Sequence, residues 1–397
     1  MFDTLQINKN KETHPFLQWM DKFVMTEKYI RQARDTMYEF EAQISEISQI
    51  HRVPQSSKHH AEGPVMTYHL ERMLATLYAI CDNSADLMQI EEFAREKHLK
   101  NEIVELQEII CENAATMKAF IFAHDIAKLD CISFDAPALS KGAMEGFSYP
   151  QKLSIKQLID LYLKLLRAFE VENQGLDQKE LCIAFSNKYQ IKVSYKGHDS
   201  VAVSGKYYDF RSGIEDICRL TSRDREMLFL LIKEHIREIS FFAKRPDGAR
   251  YQILIGIAQK AGLDPDDVLD CQLAALFLDA VAGSIAYENG KFHSDIEVVI
   301  NMMKSEELAL SDRKEKRIER LEIKKKKDFK ALLESVGLGA QDVFEELNIP
   351  VSPERAIILK QIDDIVKDFD ARIEDPKLEI LLPKINKARL LYSSQTR

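Results

Sequence analysis

The stretch 118-KAFIFAHDIAKLD-130 decides how the chain reads. An apolar run, Phe120-Ile121-Phe122-Ala123, leads directly into His124-Asp125, resumes with Ile126 and Ala127, and then meets Lys128. The apolar spacing predicts a buried helix. Within a turn and a half, however, that helix carries an imidazole, a carboxylate and an ammonium. Burying such groups unpaired costs on the order of 2–7 kcal/mol for a polar group, and more for a charge. Partners for them have to come from elsewhere in the chain.

Working outward, the same periodicity predicts helices almost throughout. Residues 16–49 read as one long helix, with Phe16, Trp19, Phe23, Ile30, Ala33, Met37, Phe40, Ile44 and Ile47 recurring at three- and four-residue steps. Further helices are expected at about 65–81, 84–98, 101–128, 154–170, 213–220, 223–242 and 248–261. Asp264 as N-cap and Pro265 at the first helical position open another over 265–287, and His293 or Ser294 caps the next. Strand material is confined to Ile191–Tyr195 and Val201–Val203. Residues 131–150, rich in Gly, Pro and Ser, read as a loop. The expected fold is all-α: an N-terminal helical arm over 1–52, a central domain over 53–304 with an insertion at about 130–196, and a charged C-terminal helical region over 305–397.

Bulk properties narrow the function classes. A chain of 397 residues exceeds what one core usually organises. A net charge of −9 argues against a generic nucleic-acid or acidic-membrane binder. The six cysteines form no Cys-x-x-Cys pair, as expected for reduced thiols in a cytoplasmic protein. The N-terminal residues lack the apolar stretch of a signal peptide, and no apolar run reaches the ~20 residues that span a bilayer. The Lys324–Lys327 run reads either as an RNA or phosphate contact or as a solvated helix face; Asp312, Glu315, Glu319 and Glu322 ahead of it favour the solvated face.

Other polar residues are as oddly placed as His124 and Asp125. His69 lies in 63-GPVMTYHLERMLATL-77, His235 in 226-EMLFLLIKEHIREISFF-242 and Asp279 in 273-LAALFLDAVAGSIAY-287, each inside an apolar helical pattern. His198 follows a glycine in 195-YKGHDSVAV-203. Singly, each has an ordinary reading as a satisfied core or loop residue. Together they amount to the ligands of one or two divalent-metal sites. Imidazole and carboxylate without thiolate suit Mn, Fe, Co, Ni or Zn. His59 and His60, in the polar loop 54-PQSSKHHAEG-63, are alternative first ligands, less favoured than the helical His69.

The order His69, His124-Asp125, His198, His235, Asp279 resembles the HD-domain metal-dependent phosphohydrolase superfamily over roughly 60–290. AHDIAK is similar to that family's His-Asp-Ile-Gly/Ala-Lys element. YKGHDSVA is similar to the Gly-His-Glu/Asp element of HD modules attached to bacterial tRNA nucleotidyltransferases, whose catalytic head has no counterpart here. No Gly-Tyr-Pro follows the His-Asp pair, which departs from the cyclic-dinucleotide phosphodiesterase branch. The resemblance implies a free-standing HD helical bundle in which His69, His124, Asp125 and Asp279 hold one metal. Asp125 would be shared with a second, completed by His198 and His235. It also implies hydrolysis of a phosphomonoester or phosphodiester in a phosphorylated small molecule, a nucleotide or a nucleic-acid-derived substrate. Lys128, one turn past His124, is placed to neutralise phosphate charge; Arg72 is a weaker candidate. The loop at 131–150, with Phe134, Lys141, Phe147 and Tyr149, would cover the substrate. The competing reading is an HD scaffold that senses a ligand or binds a protein or RNA partner.

Overall fold

The apolar repeat over 16–49 does not form one helix. In the computed structural model, which describes residues 14–135, 153–189, 192–288 and 290–309, it divides into several pieces. These are α1 (Pro15–Trp19), a π-helical turn (Met20–Val24), α2 (Glu27–Gln43) and a 3-10 segment (Ser45–Arg52). Thr26 and Ile44 adopt extended backbone and turn the chain at two of the breaks. The repeat survives because each piece buries its own stripe: Phe16, Trp19, Ala33, Met37, Phe40 and Ile47 are all in the core. Trp19 fixes the first piece by donating its indole N–H to the Asp86 carbonyl at 2.9 Å.

Next comes α3 (Thr67–Cys81), the helix of His69, which packs along α2. An Arg34–Glu71 ion pair and the Thr36–Tyr78 hydroxyl pair, at 2.7 Å, tie the two together. The segment expected to be helical over 84–98 is short turns around α4 (Glu91–Arg95). The helix expected over 101–128 is α5 (Lys100–Glu112) and α6 (Ala114–Ala123), interrupted at Asn113, whose side-chain amide donates to the Ile109 carbonyl at 2.9 Å. From Thr116 on, every side chain of α6 but Lys118 is buried. It ends at His124, and a turn leads into α7 (Lys128–Cys131).

The strand β1 (Ile132–Asp135) pairs antiparallel with β2 (Lys192–Tyr195), Ile132 opposite Tyr195. The expected covering loop leaves from β1, but residues 136–150, with Lys141, Phe147 and Tyr149, lie outside the described residues. Between these strands α8 (Ile155–Glu172), started by a Ser154–Gln157 capping box, packs on α9 (Gln178–Tyr189) through Tyr162, Phe169 and Phe185. Val201–Val203 is not a strand. Gly197, at φ 77°, turns the chain out of β2 into α10 (His198–Ala202), and the Val201 amide donates to the Gly197 carbonyl at 3.1 Å. A left-handed position that glycine takes without penalty outweighs the β preference of two valines.

The remaining helices are α11 (Tyr208–Ile217), α12 (Ser222–Phe242), α13 (Gly248–Lys260), α14 (Pro265–Leu276) and α15 (Ile296–Ala309). Asp264 caps α14 as expected, accepting the Asp266 amide at 2.8 Å. The helix does not run to 287: it widens into a π-helical segment, Phe277–Gly283, and gives way to a β3 (Ala286–Glu288)–β4 (Lys291–His293) hairpin. Ser294 donates its hydroxyl to the Val281 carbonyl at 2.9 Å, holding the hairpin base to the π segment. Among the described residues the only strands are these two short ribbons, and the fold is mostly helical. None of the described helices is long and apolar enough to cross a membrane. The chain divides after Ala309; residues 310–397, with the Lys324–Lys327 run, lie outside the described residues. At the centre of the described part, α3, α6, α10, α12 and the π segment meet.

Candidate metal centre

The six polar residues that fit their helices badly all point into that meeting place. His69 comes from α3, His124 from the end of α6, Asp125 from the following turn, His198 from the start of α10, His235 from the middle of α12 and Asp279 from the π segment. All are buried, at most 6% exposed. His69 Nε2 lies 3.3 Å from Asp279 Oδ1 and 3.9 Å from Asp125 Oδ2. His124 Nε2 lies 3.3 Å from Asp125 Oδ2 and 3.8 Å from Asp279 Oδ1. On the other side, His198 Nε2 lies 3.0 Å from Asp125 Oδ1 and 3.3 Å from His235 Nε2. Asp125 thus turns one oxygen to each of two lobes: His69, His124 and Asp279 in the first, His198 and His235 in the second.

The imidazoles are aimed by what holds their other nitrogen. His124 Nδ1 donates to the Phe120 and Ile121 carbonyls at 3.0 and 3.1 Å, His198 Nδ1 to Tyr195 at 2.7 Å and His235 Nδ1 to Ile232 at 2.6 Å. In each case the acceptor lies three or four residues back, in the same helix for His124 and His235 and at the end of β2 for His198, and it fixes the ring with Nε2 turned inward and its lone pair free. That is the tautomer a metal ligand requires. His69 Nε2 and His124 Nε2 make no hydrogen bond although buried. Buried polar atoms are rarely left so. Three triads, His60–Glu62–His69, His69–His124–Asp125 and Asp125–His198–His235, each bring three donor atoms within 4.8 Å of one another, and these groups could hold a metal ion.

Burial and neighbouring charge set the ionisation of the site. Burial pushes His235 down to about 4, so it is neutral, as a ligand must be. Burial opposes ionisation of Asp125, yet His124 and Lys128 hold it well below the usual carboxylate range. Asp279 is likewise held low against burial, chiefly by His124 and His69. Burial alone would lower His69, but the Asp279 and Glu62 carboxylates raise it to about 9.

Other residues fall in less expected places. Lys128 is not a surface lysine: it is 4% exposed, its Nζ lies 2.5 Å from Asp125 Oδ2 and 5.1 Å above the Tyr195 ring. Arg72 is a buried strut instead, donating from Nε to the Ala282 carbonyl at 3.1 Å and so tying α3 to the π segment. His60 turns toward Glu62, its Nδ1 2.9 Å from Oε1. Glu62 was invisible to the pattern reading. It sits in a loop where no periodicity marks burial; its place immediately before Gly63-Pro64 is the sole hint. Gly283, which flanks Asp279 in the sequence, is where the π segment touches His69: a Cβ there would fall 2.6 Å from His69 Cε1.

Comparison with known proteins gives no match, whether to a family model, a curated protein or a solved structure.

Proposed function

We propose that the chain is a metal-dependent phosphohydrolase of the HD type, acting on a phosphomonoester or phosphodiester in a nucleotide or nucleic-acid-derived substrate. The observation that carries this reading is the division of donors around Asp125, with two imidazoles on either side and each carboxylate oxygen facing one pair. His69, His124, Asp125 and Asp279 would hold one divalent cation, and Asp125, His198 and His235 a second. A scaffold has no physical need of six buried ionisable groups with inward lone pairs. When bound, divalent cations at such a site supply charge stabilisation to a phosphoryl group and acidify water.

The chain's own residues supply the rest. The carbonyls of Phe120, Ile121, Tyr195 and Ile232 keep the three rings they anchor from rotating, so the site is pre-set. Lys128, held between Asp125 and the Tyr195 ring, puts a fixed positive charge beside the shared carboxylate, where it draws an anionic phosphoryl group and offsets charge that develops on it. In the reaction, a water oxygen bonds to phosphorus, the P–O ester bond breaks and the leaving oxygen takes up a proton.

The test is metal analysis of protein purified without chelators, followed by assay against a panel of mononucleotides, cyclic and linear phosphodiesters and small phosphate esters. At least one divalent ion per chain, hydrolysis of a panel member and loss of both in Asp125→Ala are expected. A chain that takes up none of Mn, Fe, Co, Ni or Zn would refute the reading.

A further inference from the structure

We propose that Glu62 is the positioning residue of this centre, a buried carboxylate that orients His69 and strengthens it as a donor by accepting its Nδ1–H. The proposal rests on the metal-centre reading above and concerns how its two lobes differ.

Three of the four imidazoles lean on neutral carbonyls of the chain just before them. His69 cannot. It is the third residue of α3, so the chain behind it is the start of the helix and the turn before it, and no carbonyl there receives its Nδ1. Its Nδ1 faces Glu62 Oε1 at 3.5 Å instead. This is longer than a formed hydrogen bond, and among the described residues no other group accepts from that buried nitrogen. Glu62 is itself firmly placed. Its side chain is fully buried, Oε2 accepts the Ile285 amide at 3.0 Å and Oε1 accepts His60 Nδ1 at 2.9 Å. One residue earlier, the Ala61 amide donates to the Ile285 carbonyl at 2.6 Å. The clasp fastens the loop before α3 to the chain just beyond the π segment that carries Asp279.

The acceptor behind His69 is therefore charged where the other three are neutral. A carboxylate behind a ligating imidazole raises its basicity, and losing such an outer partner typically costs 10–100-fold in metal affinity. Burial keeps solvent and salt from screening that charge. The first lobe already has one carboxylate more than the second, and Glu62 should widen the difference in affinity further.

The experiment is cobalt(II) titration of the metal-stripped full chain, followed by visible absorbance, in the wild type, Glu62→Gln, Glu62→Asp and His69→Ala. Glutamine keeps an acceptor oxygen and removes the charge; aspartate keeps the charge and retracts it. Glu62→Gln is expected to bind the same number of cobalt ions, with the tighter step weakened 10–100-fold, its absorption band shifted and the weaker step within about twofold of wild type. Glu62→Asp should fall between the two, which preserves the test should the glutamine variant fold poorly. An unchanged tight step in Glu62→Gln would overturn the proposal. So would the outright loss of an ion, as His69→Ala is expected to show, since Glu62 would then be a ligand. Wild-type protein that takes up no cobalt overturns the metal centre itself. Cobalt binding with no hydrolysis overturns only the enzymatic reading.

Discussion

Replacing Gly283 by alanine tests how tightly the π segment is fitted against α3. The backbone there is not left-handed, so alanine meets no conformational penalty, and on backbone entropy alone it should stabilise a helical position by about 0.5–1 kcal/mol. Contact opposes that gain. The new Cβ would lie 2.6 Å from His69 Cε1, 2.7 Å from Met73 Cγ and 2.9 Å from His69 Nδ1. Bringing the closest contact out to the 3.4 Å of ordinary packing requires roughly 0.8 Å of separation between two buried elements. Overpacking of this kind costs about 1–3 kcal/mol, so a net loss of about 1–2 kcal/mol is expected. His69 and Met73 must both give way, and a displaced His69 ring should bind zinc more weakly. Urea unfolding of the metal-stripped protein and zinc competition against a chromogenic chelator measure the two effects. Gly256 is the control: it lies within α13 and a Cβ there meets nothing within 4 Å, so Gly256→Ala should gain about 0.5–1 kcal/mol. If Gly283→Ala proved as stable as Gly256→Ala and bound zinc like wild type, the close fit of His69 would be refuted.

Lys128→Ala should keep its metal while turnover falls about 10²-fold, the scale for one electrostatic stabiliser; full activity with metal retained would remove Lys128 from the chemistry. Arg250→Ala should cost about 3–5 kcal/mol in urea unfolding, because the buried Arg250 pairs with both Glu234 and Glu238 and its loss strands Glu238 in the interior, while Glu234 keeps only the half-exposed Arg237. His69 gives a pH signature. Its value is raised above the ordinary 6.5 to about 9 in the metal-free fold, so the stability it contributes is complete below 6.5 and is lost as pH rises through 9. Unfolding midpoints of the stripped protein should fall between pH 6 and 9.5, and His69→Gln should flatten that slope. Zinc affinity should rise over the same window as the competing proton leaves.

Much of the candidate site was legible because misfit is a local property. An imidazole or carboxylate inside an apolar helical repeat stands out without knowledge of the fold, and His69, His124, Asp125, His198, His235 and Asp279 all stand out and all converge. Glu62 does not, since a loop has no repeat against which a buried acid is conspicuous. Glycine is equally silent: nothing in AVAGSIAY says that a neighbouring ring needs the room at Gly283. The helical class was legible for the same reason, as periodicity records which face is buried. Periodicity does not record where the chain bends. Thr26 and Ile44 break a continuous repeat without disturbing it, and the α14 repeat passes into the π segment because apolar residues line both. The valines at 201 and 203 misled because side-chain preference is weaker than the single left-handed glycine ahead of them.

The π segment also fixes when the centre can exist. From His69 to Asp279 the chain runs 210 residues, which at about 5–20 residues per second takes a ribosome roughly 10–40 s. For that interval the nascent chain carries His69 and its acidic or imidazole neighbours without the carboxylate that lies nearest His69 Nε2. Closing so long a loop is entropically costly before any contact rewards it. The first lobe therefore cannot be completed until Asp279 has been made and brought back to α3, and a cation held there would report that this long loop had closed.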